Sequence, residues 1–338
     1  MLCDDFMEAN AKTVPDPLVL EGVRNFNSAL RDAPKYVLTE HVVQMVETLA
    51  CKRPSAILNG LPVCFLPHPV IWVEMAYTDF LKATDRITGI DNLRRIPEAD
   101  NPHRIGYLFE QLDGGYIRIT IGWVHHNIET PLGRMPSALQ LCILDWTINT
   151  SSNFHGPPEY IPPSERYAQN SYLWEFRHSD KDVEAYAHLV SRCSQSVSPY
   201  TKRYHDAHTK IIKTQEQWDR WNLMLMHDIA GEWRHALAIL MVLNSRTCVE
   251  YNPVDRTKLS KRHVKDKRPP LDNYKEVHFK LSKVQYNAYK ASGKKMADLA
   301  RHLVSAHLKV RKTGVFLWSS HVRGYRGEVK VPVKIVEP

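Results

Sequence analysis

A chain of 338 residues, 43% of them hydrophobic and 24% charged, can bury a substantial core and does not read as disordered. It has no apolar run near the ~20 residues needed to cross a bilayer, and its start, MLCDDFMEANAK, lacks a basic-then-apolar signal, so the expectation is a cytoplasmic protein without a membrane partner. The net charge of +8 is concentrated: residues 251–338 hold 21 Lys and Arg against 7 Asp and Glu, or +14, which leaves −6 on the first 250.

In chain order, Thr39 can cap a helix whose Val42, Val43, Met45, Val46 and Leu49 fall at helical spacing, stopped by Lys52, Arg53 and Pro54. Residues 62–77 are rich in Val, Ile, Trp and Phe but carry three prolines, as an edge or entry strand would. The sharpest local signal is Ile105 to Leu112, then Asp113-Gly114-Gly115, then Tyr116 to Trp123, which predicts a β-hairpin. On its second arm Ile117, Ile119 and Ile121 share one face, expected to be packed, and Arg118 and Thr120 the other, expected to be wet. Residues 138–148, ALQLCILDWTI, predict one further buried strand.

From Asn149 to Pro163 the chain turns to Ser, Asn, Gly and Pro and reads as a long connection. Helices are predicted over 180–192 and 214–243, the second with a core stripe of Trp218, Trp221, Leu225, Ile229 and Trp233. Basic residues then crowd 258–268, residues 276–281 predict a short strand with Val277 and Phe279 inward, and 283–303 predict a helix. Residues 315–318 and 329–336 are expected to pair as terminal strands around a 321–327 turn. The fold class expected is therefore α+β: an antiparallel sheet domain over 1–150, a helical region over 151–245 and a basic, β-rich α+β segment over 246–338.

The six cysteines stand singly, a reduced-thiol pattern rather than a zinc or disulfide framework, and no phosphate-binding glycine loop occurs. Neither the His125-His126 pair with His155 nor Glu328-Val329-Lys330 completes a metal site, so no metal and no cofactor is expected. Residues 301–325 are chemically the densest stretch. His302, His307 and His321 are the candidate catalytic residues of a metal-independent ribonuclease or toxin-like enzyme, where one histidine takes the 2′-hydroxyl proton, another protonates the leaving oxygen and a cation steadies the phosphorane. Lys309, Arg311, Lys312, Trp318, Arg323, Tyr325 and Arg326 are the candidate nucleic-acid contacts, by phosphate pairing and base stacking. The charge asymmetry favours the binding role, with RNA or DNA as partner. A protein-binding inhibitor or virion component, with a host or phage protein as partner, is a further alternative.

Over about the last hundred residues the order of motifs is informative. Leu243-Asn244, Lys258-Leu259-Ser260-Lys261-Arg262, Pro269-Pro270-Leu271, Tyr274 and Val277 come first, followed by His302-Leu303, His307-Leu308-Lys309, Phe316-Leu317-Trp318 and His321-Val322-Arg323-Gly324. This order resembles a family of uncharacterised proteins carried by bacteriophages, prophages and plasmids. More faintly, Leu61-Pro62 and Pro69-Val70-Ile71-Trp72-Val73-Glu74 are similar to a pattern near the start of such proteins. Where the family has Arg-Gly ahead of the second histidine, this chain has Ser305-Ala306. The resemblance implies a mobile-element origin and says little about mechanism.

Overall fold

The computed structural model describes residues 1–10, 14, 16–50, 54–88, 103–130, 133–142, 144–151, 184–185, 188–189, 191–217, 232–245, 248–280 and 307–318. Helices α1 (Leu2–Met7) and α2 (Pro17–Asp32) lead into β1 (Lys35–Leu38), α3 (Glu40–Ala50), α4 (Pro54–Gly60), β2 (Val70–Ala76) and α5 (Tyr77–Thr88). Then come β3 (Arg104–Gln111), β4 (Tyr116–Thr130), β5 (Gly133–Leu141), β6 (Leu144–Asn149) and β7 (Cys193–Val197). Helices α6 (Lys202–Thr209) and α7 (Glu232–Leu243), strand β8 (Val249–Val254), helix α8 (Thr257–Lys265), strand β9 (Tyr274–Phe279) and the pair β10 (His307–Arg311) and β11 (Gly314–Trp318) complete the described chain.

The α+β expectation holds, but the sheet is mixed rather than antiparallel. Its order is β7-β6-β4-β3-β2-β1-β9-β8, with β5 also on β4, so strands from all three thirds of the sequence share it. β1 runs parallel to both β2 and β9, and the other pairings are antiparallel. The reason is topological: β1 reaches β2 through α3 and α4, a helical crossover that returns the chain in its original direction. A strand of four residues carries no pattern that would reveal this.

The predicted hairpin forms as β3 and β4, with Gly114 and Gly115 at φ 71° and 81° supplying the left-handed backbone its turn requires. The single strand expected over 138–148 is instead two. From Ile119↔Trp146 to Gly122↔Leu141, β4 advances three residues while its partner covers five, so the chain bulges around Cys142 and divides into β5 and β6. β11 pairs with β10; residues 319–338, including the expected 329–336 strand, lie outside the described residues. So do the helix expected over 283–303 and the 218–231 part of the expected long helix; Trp233 is buried as expected.

Both faces of the sheet are covered. Ile71, Val73, Tyr107, Phe109, Ile117, Ile119 and Ile121 meet α3 and α7 in one core. Trp72, Leu108, Val124, Leu139 and Leu141 meet α1 and α2 in a second. The face expected to be wet is dry at Thr120, which is fully buried because α1 and α2, unseen in the hairpin's own alternation, lie over that face, while Arg118 stays partly exposed. Close approach here excludes larger residues; a Cβ on Gly106 would stand 2.1 Å from the Trp72 ring.

One carboxylate organises the second face. Glu74 on β2 is fully buried, and its Oε1 accepts from the Leu2 amide at 3.2 Å while its Oε2 accepts from the Cys3 amide at 3.1 Å and from Trp72 Nε1 at 2.9 Å. The Arg104 guanidinium stands 2.9 Å from Oε1. The anion thus satisfies donors at the start of α1, fixing that helix on the sheet.

Candidate nucleic-acid interface

The basic C-terminal third is held to the body in two separate places. The β10–β11 hairpin packs on the first face: Ser245 Oγ, just beyond α7, donates to the Val315 carbonyl at 2.8 Å, and Val315 is buried. Arg311 and Lys312 are exposed at its turn. Backbone places His307 and Lys309 on β10 and Trp318 on β11, with His307 opposite Trp318 in the register. His302, His321, Arg323, Tyr325 and Arg326 lie outside the described residues, and the ribonuclease reading, which needs two histidines around one phosphate, gains no contact from the residues described.

The second place is α8, tied instead to α1. Asp255 opens it with an Asx turn, its Oδ1 accepting from the Thr257 amide at 2.9 Å. The side-chain hydroxyl and the amide of Thr257 hold the Asp255 carboxyl below the usual carboxylate range. Arg256 bonds the Asp4 carboxylate at 2.9 Å and lies over the Tyr274 ring. Arg268, just past the helix, bonds Glu8 at 2.8 Å, and His263 Nδ1 stands 3.6 Å from the same carboxylate. Ser260 Oγ accepts from the Leu271 amide at 3.0 Å. The acidic N-terminal helix therefore does dock on the basic segment, but it neutralises only the residues at the two ends and back of α8.

The outer face is left charged. Lys258, Lys261, Arg262 and Lys265 are exposed, and with Lys267 they make no ion pair among the described residues. Their i, i+3, i+4, i+7 spacing puts the four helical residues within an arc of about 100°. None of the nine residues of α8 is buried, so the ridge stands proud of the elements that hold it, without a charge partner among the described residues. Lys267 continues it, in a left-handed conformation at φ 58°. In the sequence the four helical residues belong to the basic crowding of 258–268, and their i, i+3, i+4, i+7 spacing is the signal that marks them.

Two buried charged clusters have a different character. Between α3, α5 and α7, His235 Nε2 lies 3.3 Å from Glu47 Oε2, to which Thr84 Oγ1 also donates at 3.3 Å; this is a polar tie inside a helical layer. On the second sheet face, Arg118 of β4 bonds Glu110 of β3 at 2.9 Å, the Tyr200 hydroxyl donates to Glu110 at 3.0 Å, and Arg118 lies over the Tyr200 ring. Asp145 of β6 sits beside them, fully buried, with the nearest guanidinium nitrogen of Arg118 4.0 Å away. Ser198 and Thr120 hydroxyls face it, yet neither they nor Asp145's oxygens complete a well-aligned hydrogen bond. Burial dominates and pushes the Asp145 carboxyl up to about 7, against the opposing pull of those hydroxyls and Arg118.

Among the described residues no three His, Cys, Asp or Glu side chains cluster as a metal site would require, and no helix is long and apolar enough to cross a membrane. Four of the five described cysteines are buried, and none of the five is in a disulfide; burial raises the thiol of Cys193 to about 12, far from thiolate reactivity. No protein-family model, curated protein or solved structure matches the chain.

Proposed function

We propose that this protein binds nucleic acid through its basic C-terminal surface, as an accessory protein of a phage or other mobile element. The observation that carries the reading is the ridge of Lys258, Lys261, Arg262 and Lys265: exposed, unpaired among the described residues, and on a helix anchored only at its ends and back. Side chains held this way release condensed counterions when they meet phosphates, which supplies affinity without a deep pocket. Arg311 and Lys312 form a second, smaller contact on the hairpin, and the motif order of the last hundred residues supports the mobile-element setting.

The test is a salt-titrated binding assay with the full chain. Four phosphate contacts predict an affinity that falls on the order of a hundredfold between 50 and 200 mM salt. Lys258→Ala, Lys261→Ala, Arg262→Ala and Lys265→Ala combined should flatten that dependence. Affinity indifferent to salt, or unchanged in the fourfold variant, overturns the proposal.

A further inference from the structure

The shape of α8 narrows the ligand. Its nine residues form a rod about 13 Å long and about 10–12 Å across with side chains. A helix lying flat on a protein has a buried stripe; α8 has no buried residue, and its fixed points are Arg256 on Asp4, Ser260 on Leu271 and Arg268 on Glu8. It is therefore held rigidly in orientation while its outer half projects. B-form DNA offers a major groove about 12 Å wide that admits such a rod. The major groove of A-form RNA is too deep and narrow for one.

The distribution of side chains around the axis separates this ligand from others. Leu259 and Val264 are exposed, at 54% and 56%, and lie on opposite flanks of the basic arc, each about 110° from its centre. They make no single apolar face, which a helix seated in a bilayer surface or in a protein groove requires. In a groove, by contrast, the basic arc faces the floor and the two aliphatic flanks meet the walls. No Phe, Tyr or Trp occurs in TKLSKRHVK, so α8 lacks the stacking platform that single strands use. Arg262, at one edge of the arc about 50° from its centre, has a long side chain whose planar fork matches the guanine O6 and N7 edge.

We infer that α8 enters the major groove of duplex DNA, Arg262 toward the base edges, Lys258, Lys261 and Lys265 toward phosphates, and Leu259 and Val264 along the groove walls. This rests on the nucleic-acid reading above and adds the class of duplex, the groove and the residue that meets base edges.

The experiment compares the full chain on fluorescent duplex DNA of about two helical turns, duplex RNA of the same sequence, the single DNA strand and anionic vesicles. Duplex DNA should bind at least about tenfold tighter than the others, and dimethyl sulfate should find guanine N7 protected while adenine N3 in the minor groove stays reactive. Leu259→Ala with Val264→Ala, which changes no charge, should weaken duplex DNA binding about three- to tenfold at an unaltered salt slope. Equal affinity for DNA and RNA duplexes, protection at adenine N3 alone, or indifference to the aliphatic pair overturns the groove assignment while leaving nucleic-acid binding standing. Failure to bind any nucleic acid at low salt overturns both, as does capture by vesicles alone.

Discussion

Glu74 and Asp145 are carboxylates on the same face of one sheet, both fully buried, yet their surroundings are opposite. Glu74 accepts from two backbone amides and an indole and sits against Arg104, so its charge has a partner on every side. Asp145 lies next to Arg118, but that guanidinium is committed to Glu110 at 2.9 Å and stays 4.0 Å from Asp145. Burial depth does not decide whether a carboxylate stabilises a fold; the number of donors that reach it does. The satisfied anion positions a helix, and the unsatisfied one is a group that gives up its proton only near neutrality.

Substitutions that break or sharpen this contrast fall in order of size. Glu74→Leu should cost about 3–5 kcal/mol, because it strands Arg104, the Trp72 indole and the first amides of α1 without an acceptor; urea unfolding measures it, and Glu74→Gln, which keeps an acceptor, should recover part of the loss. A change under about 1 kcal/mol would show that α1 does not depend on this anion. Asp145→Asn should act in the other direction. Because the folded carboxyl holds its proton to about pH 7, well above its value in an unfolded chain, the contribution of Asp145 to stability is most favourable below about pH 4 and is lost as pH rises toward 7. Removing the charge should therefore raise stability by a few kcal/mol at pH 8 relative to pH 4. Parallel stability curves for wild type and variant across that range would refute the role of Asp145. Tyr200→Phe removes one donor from Glu110 and should cost about 1 kcal/mol, with Arg118 still bonded to Glu110; thermal melts distinguish this from a larger collapse of the cluster.

Some of this was legible beforehand. Asp113-Gly114-Gly115 between alternating apolar arms announced the hairpin because positive φ at a turn is a local demand. The helix at 40–50 and the inward Val277 followed from spacing for the same reason. Thr39, read as a cap, instead donates its hydroxyl to the Val277 carbonyl at 2.9 Å, an interaction 238 positions away in sequence. The charge asymmetry marks the C-terminal quarter of the chain, where histidines are densest at 302–326. The ridge at 258–265 is the better-defined surface because exposure depends on what a helix packs against, and a run of lysines does not say which of them the acidic α1 will neutralise.

By itself the sequence determined what depends on neighbours along the chain: the turn glycines, the alternation of the isoleucines in β4, the helical spacing of α3 and of the four basic residues of α8, and a net charge gathered at one end. Only the tertiary structure decided that β1 lies parallel between β2 and β9, that Thr120 is buried, that Glu74 is satisfied and Asp145 is not, and that Asp4 and Glu8 reach Arg256 and Arg268 while the outer lysines have no ion pair among the described residues. Each of these depends on groups brought together from distant parts of the chain, and desolvation and pairing have no signature until those groups meet.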